Sequence, residues 1–447
     1  MFHNLNQNQQ AQGGAAYDAA EKRAAERWPW LIDPDARWNK KHEGFSVDPL
    51  AGVERLDKRL IRVLAIDGGG IRGIVPATVL TAIEERTGRP ISDLFDVFAG
   101  TSTGGLLTLG LNALKDGADW GSTEPQYSAK EIRDIYLERG PQIFSRGKRW
   151  MLKTAGGWLG PKYPATGLEA VLKEMFGSRR IADTIRRTLI TSYDTERRTP
   201  VTFASDCLRF AEPRNPNPEM WQVCRATSAA PTYFPPFRLK ADYSDERGPG
   251  WNFGDPFSLV DGGVAANNPA LWAWYESGLG REAHSLLIVS LGTGYAKGQF
   301  KYDVIKPYGK LQWITPVLEL LASGANETTH TQLNYFLNGT WQDPRDRTPE
   351  GAERIPNRPA TAIRAPQGTY DVNFADGLDQ RTRWTRYLRY QPQLHKAAAA
   401  MDNVHKWNLS ALQEDAERYI RENEGDLFEL ADFLDTLADL RPAHPNH

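Results

Sequence analysis

Short apolar runs alternate with longer amphipathic stretches along the middle of this chain. Leu60-Ile61-Arg62-Val63-Leu64-Ala65-Ile66 is rich in branched residues and predicts a buried strand. A helix is expected from about Gly73 to Arg86, with Pro76 tolerated in its first turn and Gly88 at its C-terminal end. Phe95-Asp96-Val97-Phe98-Ala99 predicts a second strand, and Leu106-Leu107-Thr108-Leu109 belongs to the helix that follows it. Thr166-Gly167-Leu168-Glu169 reads as a capping box opening a helix that Gly177 ends. Further strands are expected over Arg187–Asp194, Pro200–Ser205, Phe257–Val260 and Ser285–Ser290. Asn268 and Pro269 look like the N-cap and first residue of another helix. Strands apolar on both faces and alternating with helices predict an α/β fold around a mostly parallel sheet.

Outside this region the pattern changes. Residues 1–15 are polar, and 17–55 carry Trp28, Trp30 and Trp38 among charges, so 1–55 reads as a flexible tail and arm. Residues 56–300 form the expected α/β domain. Residues 301–447 read as a C-terminal extension, helical towards its end, where Leu427, Leu430, Leu434 and Leu437 share a face suited to the protein's own core.

Composition adds exclusions. The 447 residues are 40% hydrophobic and 25% charged, which suits a globular chain. A net charge of −2 argues against binding a nucleic acid polymer by bulk electrostatics. Only Cys207 and Cys224 are present, so a reducing, cytoplasmic setting is expected and no metal-type spacing occurs. The polar start lacks a secretory pattern, and no apolar run approaches the ~18 residues of a membrane span. Membrane contact would be peripheral.

The second strand runs into Gly100-Thr101-Ser102-Thr103-Gly104. A strand, a sharp turn carrying one serine between small residues, and a helix nominate Ser102 as a nucleophile. Asp67-Gly68-Gly69-Gly70-Ile71-Arg72-Gly73 lies between the first strand and first helix, and formally matches G-x-G-x-x-G. A dinucleotide site needs an acid at the end of the second strand, where Gly100-Thr101-Ser102 stands instead, and no Gly-Lys-Ser/Thr follows for a P-loop. The glycines better suit backbone N–H donors beside Ser102, since parallel neighbouring strands end on the same edge. Arg72 could reinforce that site or anchor the loop through an ion pair.

A serine needs a base. None of the eight histidines lies in a segment resembling a catalytic loop: His3, His444 and His447 fall in expected tails, and His284 begins a strand at the opposite edge. His330, His395 and His405 are more plausible as surface or packing residues. Asp261 follows a strand and precedes Gly262-Gly263, and a desolvated aspartate can take the serine proton directly.

Five segments in order resemble the patatin-like phospholipases: 67–73, 100–105, 225–236, 261–269 and 290–294. The resemblance covers roughly residues 60–295. It implies a three-layer sandwich with a Ser102–Asp261 dyad in place of a triad. It implies an oxyanion hole in the Gly68–Gly73 loop, with Gly69, Gly70 and Ile71 as the foremost donors. The 225–236 segment would wall the dyad, with Ser228 structural. The implied reaction is phospholipid acyl-ester hydrolysis through an acyl-enzyme, without a metal or other cofactor. A general esterase or thioesterase would use the same site. A nucleotide-binding module and an inactive scaffold are readings of another class.

Arg146, Lys148, Arg149, Lys153 and Lys162 are interleaved with Trp150, Met151, Leu152, Trp158 and Leu159. This segment reads either as a membrane-docking surface or as an ordinary covering loop or oligomer contact. Bacterial relatives include antiphage effectors switched on by cyclic oligonucleotides, and the similar size and tailed layout extend that expectation here.

Overall fold

The computed structural model describes residues 60–118, 122–157, 159–205, 217–240, 256–276, 285–296, 300–338, 385–398 and 400–439. The expected tail and arm (1–55), Trp158, His284 and Cys207 lie outside these.

In chain order, the elements that build the site are β1 (Leu60–Ile66), α1 (Ile74–Thr87), β2 (Val97–Thr101), α2 (Thr103–Asn112), α3 (Ala129–Ile143), α4 (Lys148–Lys153) and α5 (Thr166–Phe176). They continue through β3 (Arg187–Asp194), β4 (Thr199–Ala204), α6 (Met220–Thr227), β5 (Phe237–Leu239), β6 (Phe257–Asp261), α7 (Gly263–Ala266) and α8 (Ala270–Glu276). Last come β7 (Ser285–Leu291), β8 (Tyr295–Ala296), α9 (Lys310–Asn338), β9 (Thr385–Tyr390), β10 (Gln393–Leu394), α10 (Lys406–Glu422) and α11 (Glu424–Asp439).

Eight strands form one sheet in the order β5-β6-β3-β2-β1-β7-β9, with β4 also paired to β3. The run β3-β2-β1-β7-β9 is parallel throughout. Its strands are apolar on both faces because both faces are covered. Leu64, Ile66, Phe98, Leu287 and Val289 join one core with α1, α3, α10 and α11. Val63, Ala65, Val97, Ala99 and Ile288 face a second core with Ala270 and Ala273 of α8 and Leu333 and Leu337 of α9. Helices on either face of a mostly parallel sheet give the three-layer architecture expected.

Three local expectations are corrected. Helix α1 begins at Ile74, because Gly70–Gly73 wind as a 3-10 turn first. Thr166 does not cap α5: it is the first helical residue after Ala165, and no capping hydrogen bond forms. Glu169 is drawn away to the buried Arg225, 3.1 Å from its Nε. Finally, the packing does not break at residue 300. Strand β9 pairs along the whole of β7's inner stretch, Leu286↔Thr385 to Leu291↔Tyr390. The apolar face of α11 packs with α1, where Arg86 and Arg89 pair with Asp432 and Asp435.

Candidate active site

Ser102 sits at the turn between β2 and α2 with φ 54° and ψ −121°, a positive φ that a side-chain-bearing residue rarely adopts. The surroundings hold it there. The Thr101 hydroxyl donates to the Ala266 carbonyl at 2.6 Å and lies 2.7 Å from Thr191 Oγ1. The Ser102 N–H donates to Thr227 Oγ1 at 2.7 Å. Such a turn needs close backbone approach, and the motif glycines allow it. A Cβ on Gly104 would come 2.0 Å from the Ile66 carbonyl oxygen, and one on Gly100 would come 2.4 Å from that of Gly104. Gly262 is pressed in the same way against Thr191. Ser102 also opens α2, whose aligned peptide groups bring partial positive charge to its end.

Sheet register explains how Asp261 reaches this serine. A strand has two edges, and β4 takes one edge of β3 from Leu189 to Asp194. The other edge is shared. Strand β2 occupies it in parallel up to Thr101↔Thr191, and β6 occupies the rest antiparallel, down to Asp261↔Ser192. The two strands therefore run towards each other and stop at adjacent rungs. Asp261 ends its own strand, as the sequence suggests, but that strand is reversed, so it reaches the carboxyl edge of β2 and β3 from beyond it. The Ser102 hydroxyl lies close enough to the Asp261 carboxylate to favour the charged form, and the Gly263 N–H donates to Asp261 Oδ1 at 2.7 Å. Asp261 is 6% exposed. Burial pushes its carboxyl up to about 6, the Gly263 N–H and the neighbouring Ser102 hydroxyl opposing that rise. A carboxylate so placed can accept a proton near neutral pH.

Beside the pair lies the glycine loop. Gly68 donates to the Asn267 carbonyl at 3.1 Å, Arg72 N–H to that of Gly69 at 3.3 Å, and Ile71 N–H to that of Met401 at 2.8 Å. Ile71 is thereby removed from the expected donors. The N–H groups of Gly69 and Gly70 have no acceptor among the described residues, and both glycines line the cavity with Ser102. Gly70, at φ 61°, is backed by the Met401 carbonyl, 2.2 Å from where a Cβ would stand. Gly73 lies further on, pressed against Thr103 and Tyr136. Arg72 anchors the loop rather than reaching the dyad, its guanidinium lying near the Gly69 and Gly294 carbonyls at 3.4 and 3.5 Å.

A cavity of about 140 Å³ opens over Ser102 and Asp261. Leu106, Ile143, Phe144, Leu168 and Phe234 make it predominantly apolar. Ser228, Ala230, Pro231 and Tyr233 form part of its wall, as the 225–236 segment suggests. Ser228 Oγ is buried without a partner. The sequence reading missed Leu318, Leu321 and Ala322 of α9 and Met401, which also line it. An i, i+3, i+4 apolar pattern in α9 was the signal available. None of the described histidines lines the cavity. The His330 ring lies tilted against Tyr387, centroids 5.7 Å apart, and burial holds its pKa down to about 4.

The basic segment borders the cavity through Phe144, whose ring meets Tyr163 at 5.5 Å. Its members divide by role. Arg146 lies over Tyr163 and donates to the Gly156 carbonyl, Trp150 donates to the Pro161 carbonyl, and Lys162 pairs with Asp402. Lys148, Arg149 and Lys153 are exposed, as are Leu152 (84%) and Leu159 (83%). No described helix is long and apolar enough to cross a membrane.

The sequence model of the family described as Patatin-like phospholipase matches residues 64–274. Patatin-like protein 2 of Oryza sativa subsp. indica is 31% identical over 314 residues, spanning 63% of this chain and 74% of that protein. A Solanum tuberosum protein named Probable inactive patatin-3-Kuras 1 is 32% identical over 308 residues, spanning 63% and 75%. Human GIVD cytosolic phospholipase A2, solved with methyl gamma-linolenyl fluorophosphonate, superposes with a TM-score of 0.42 at 13% identity, covering 97% of this chain and 64% of that one.

Proposed function

Because this chain belongs to the patatin-like phospholipase family, we propose that it is a lipid acyl hydrolase working through Ser102 and Asp261. Membership alone does not carry the chemistry, since one relative bears the name of an inactive protein. The observation that carries it is a strained-turn serine and a buried, raised carboxylate lining one apolar cavity together.

In the proposed reaction Ser102 Oγ attacks the ester carbonyl carbon while Asp261 takes the hydroxyl proton. The negative charge gathers on the former carbonyl oxygen, within reach of the free Gly69 and Gly70 N–H groups. Collapse expels the alcohol, a lysophospholipid, which receives its proton from Asp261. Water then attacks the acyl-enzyme with Asp261 again as base, releasing a fatty acid and restoring Ser102. The apolar wall suits an acyl chain, whose burial favours binding by about 25 cal/mol per Å².

Mass-spectrometric product analysis on phospholipid vesicles tests this reading. Fatty acid and lysophospholipid should appear with wild type. Turnover of a short-chain ester or an acyl thioester with no product from phospholipid would replace it with the general esterase or thioesterase reading.

The exposed cations and leucines of residues 146–162 are proposed as the bilayer contact. Replacing Lys148, Arg149 and Lys153 with glutamate should weaken partitioning onto anionic vesicles by at least about 10²-fold, each lost cation contributing about 1 kcal/mol near such a surface. Hydrolysis of a soluble ester should stay at its wild-type rate. Undiminished vesicle binding would assign the segment to covering the core.

The proposed setting is cytoplasmic, with peripheral membrane association during turnover. Activation by a cyclic dinucleotide is carried over from the family-level likeness. Faster lipid hydrolysis on adding cyclic dinucleotides would support it, and an unchanged rate with all of them would indicate a constitutive hydrolase. Light scattering with and without them would reveal any homo-oligomer.

A further inference from the structure

We propose that Arg389 is a positioning residue for the oxyanion loop, acting through Asp67, so that strand β9 belongs to the catalytic unit. This rests on the hydrolase reading above and adds to it a group outside the family-model match at 64–274.

Asp67 is the first residue after β1 and the first of the glycine loop; it is 0% exposed. Arg389 lies two strands away, on β9 at the rung paired with Ser290 of β7. Its side chain crosses β7. Nη1 donates to Ser290 Oγ at 2.8 Å and to Asp67 Oδ1 at 2.8 Å, while Nη2 pairs with Asp67 Oδ2. Burial pushes the Asp67 carboxyl up against the opposing pull of the guanidinium, and Asp67 in turn holds Arg389 charged. The paired fork sets both the position and the plane of the carboxylate. Asp67 N–H is fixed as well, on the Leu291 carbonyl at 3.0 Å.

The next residues inherit that placement. The Gly68 carbonyl accepts from Thr293 Oγ1 at 2.9 Å, and its N–H is taken by Asn267. Gly69 presses on Thr293, leaving 2.2 Å to Oγ1 from where a Cβ would stand. At the far end Met401 holds Ile71. The two free N–H groups thus sit on a short span of glycine fixed at each end by C-terminal residues. Glycine has no side chain with which to fix itself, so its peptide planes follow their anchors. An oxyanion donor must hold its place to about 0.5 Å. Arg389 itself does not line the cavity.

The test uses the full chain with Arg389→Met, Arg389→Lys and the double variant Asp67→Asn/Arg389→Met. Thermal unfolding, kcat and KM on a soluble ester, and the Gly69 and Gly70 amide resonances of glycine-labelled protein are read for each. Arg389→Met should lower kcat about 10²-fold, the loss of one oxyanion donor, with KM within about 2-fold. Arg389→Lys keeps the charge without the fork and should fall between. Its Gly69 and Gly70 resonances should move while that of Gly88, remote in the turn after α1, stays. The double variant leaves no unpaired buried charge and should regain unfolding temperature without regaining kcat. Wild-type kcat in a folded Arg389→Met variant would overturn the proposal. So would kcat that simply follows unfolding temperature across the series. If Arg389→Met does not fold, Arg389→Lys decides: unmoved Gly69 and Gly70 resonances with wild-type kcat overturn it. An absence of ester turnover by wild type would sink the hydrolase reading instead, while the resonances would still report the anchoring.

Discussion

Ser102→Ala lowers kcat for phospholipid hydrolysis by roughly 10⁵- to 10⁶-fold, the loss expected where nucleophile and base act as one unit. Among the described residues the hydroxyls flanking Ser102 in the chain are engaged elsewhere, Thr101 with Thr191 and Ala266, and Thr103 with Tyr136. Adding Asp261→Asn to Ser102→Ala should bring little further loss, because a base without its nucleophile has nothing to activate. The measurement is fatty acid release from vesicles, with covalent labelling by a fluorophosphonate as a second readout. Labelling of the alanine variant at wild-type rate, or surviving lipid hydrolysis, would move the nucleophile elsewhere.

Asp261→Asn should cost roughly 10⁴-fold in kcat, since an amide cannot accept the serine proton. It should also stabilise the protein, and the sign follows from the carboxyl's environment. In the folded state the Asp261 carboxyl stands at about 6 against an ordinary 3.8. A raised acid binds its proton more tightly when folded, so wild type loses stability as pH rises from about 4 to about 6. Asparagine escapes that loss while still accepting from Gly263. At ~1.36 kcal/mol per pH unit the variant gains about 3 kcal/mol above pH 6 and nothing below pH 4. Urea unfolding of both proteins at pH 4, 5 and 8 checks the window. The same titration predicts the rate profile: wild-type kcat/KM should climb as pH rises towards 6 and level above it. An equal stability difference at all three pH values would mean that Asp261 is not held neutral by burial at low pH.

These two expectations set activity against stability at one residue. A carboxylate on the protein surface would cost nothing to ionise, but it would be a weaker base at neutral pH. Burial between β6, α7 and the serine turn raises its basicity and destabilises the fold by the same amount.

Much of this site is legible along the chain, and the failures share a cause. Ser102 and the glycine loop are local: a turn with positive φ needs its neighbours small, so the residues that form it also announce it. Asp261 is legible as an acid at a strand end before glycines. Its route to Ser102 is not, because strand direction depends on which edge of β3 remained free after β2 and β4 had paired. Ile71 looks like an oxyanion donor because it stands in the right motif. Its N–H is occupied by a carbonyl 330 positions later, and no local pattern records that. Thr385–Tyr390, two of whose six residues are arginines, does not read as a sheet strand. It pairs along β7 nonetheless, with Arg389 buried against Asp67.

The sequence by itself determined the candidate nucleophile, base and glycine loop and the central strands β1, β2, β3 and β7, since side-chain chemistry and apolar periodicity are properties of neighbours in the chain. Tertiary structure alone decided which N–H groups stay free, from which direction the aspartate arrives, and that residues beyond 300 hold the loop. Hydrogen-bond occupancy, edge sharing and buried charge pairing depend on groups hundreds of positions apart, and these acquire partners only when the sheet closes around them.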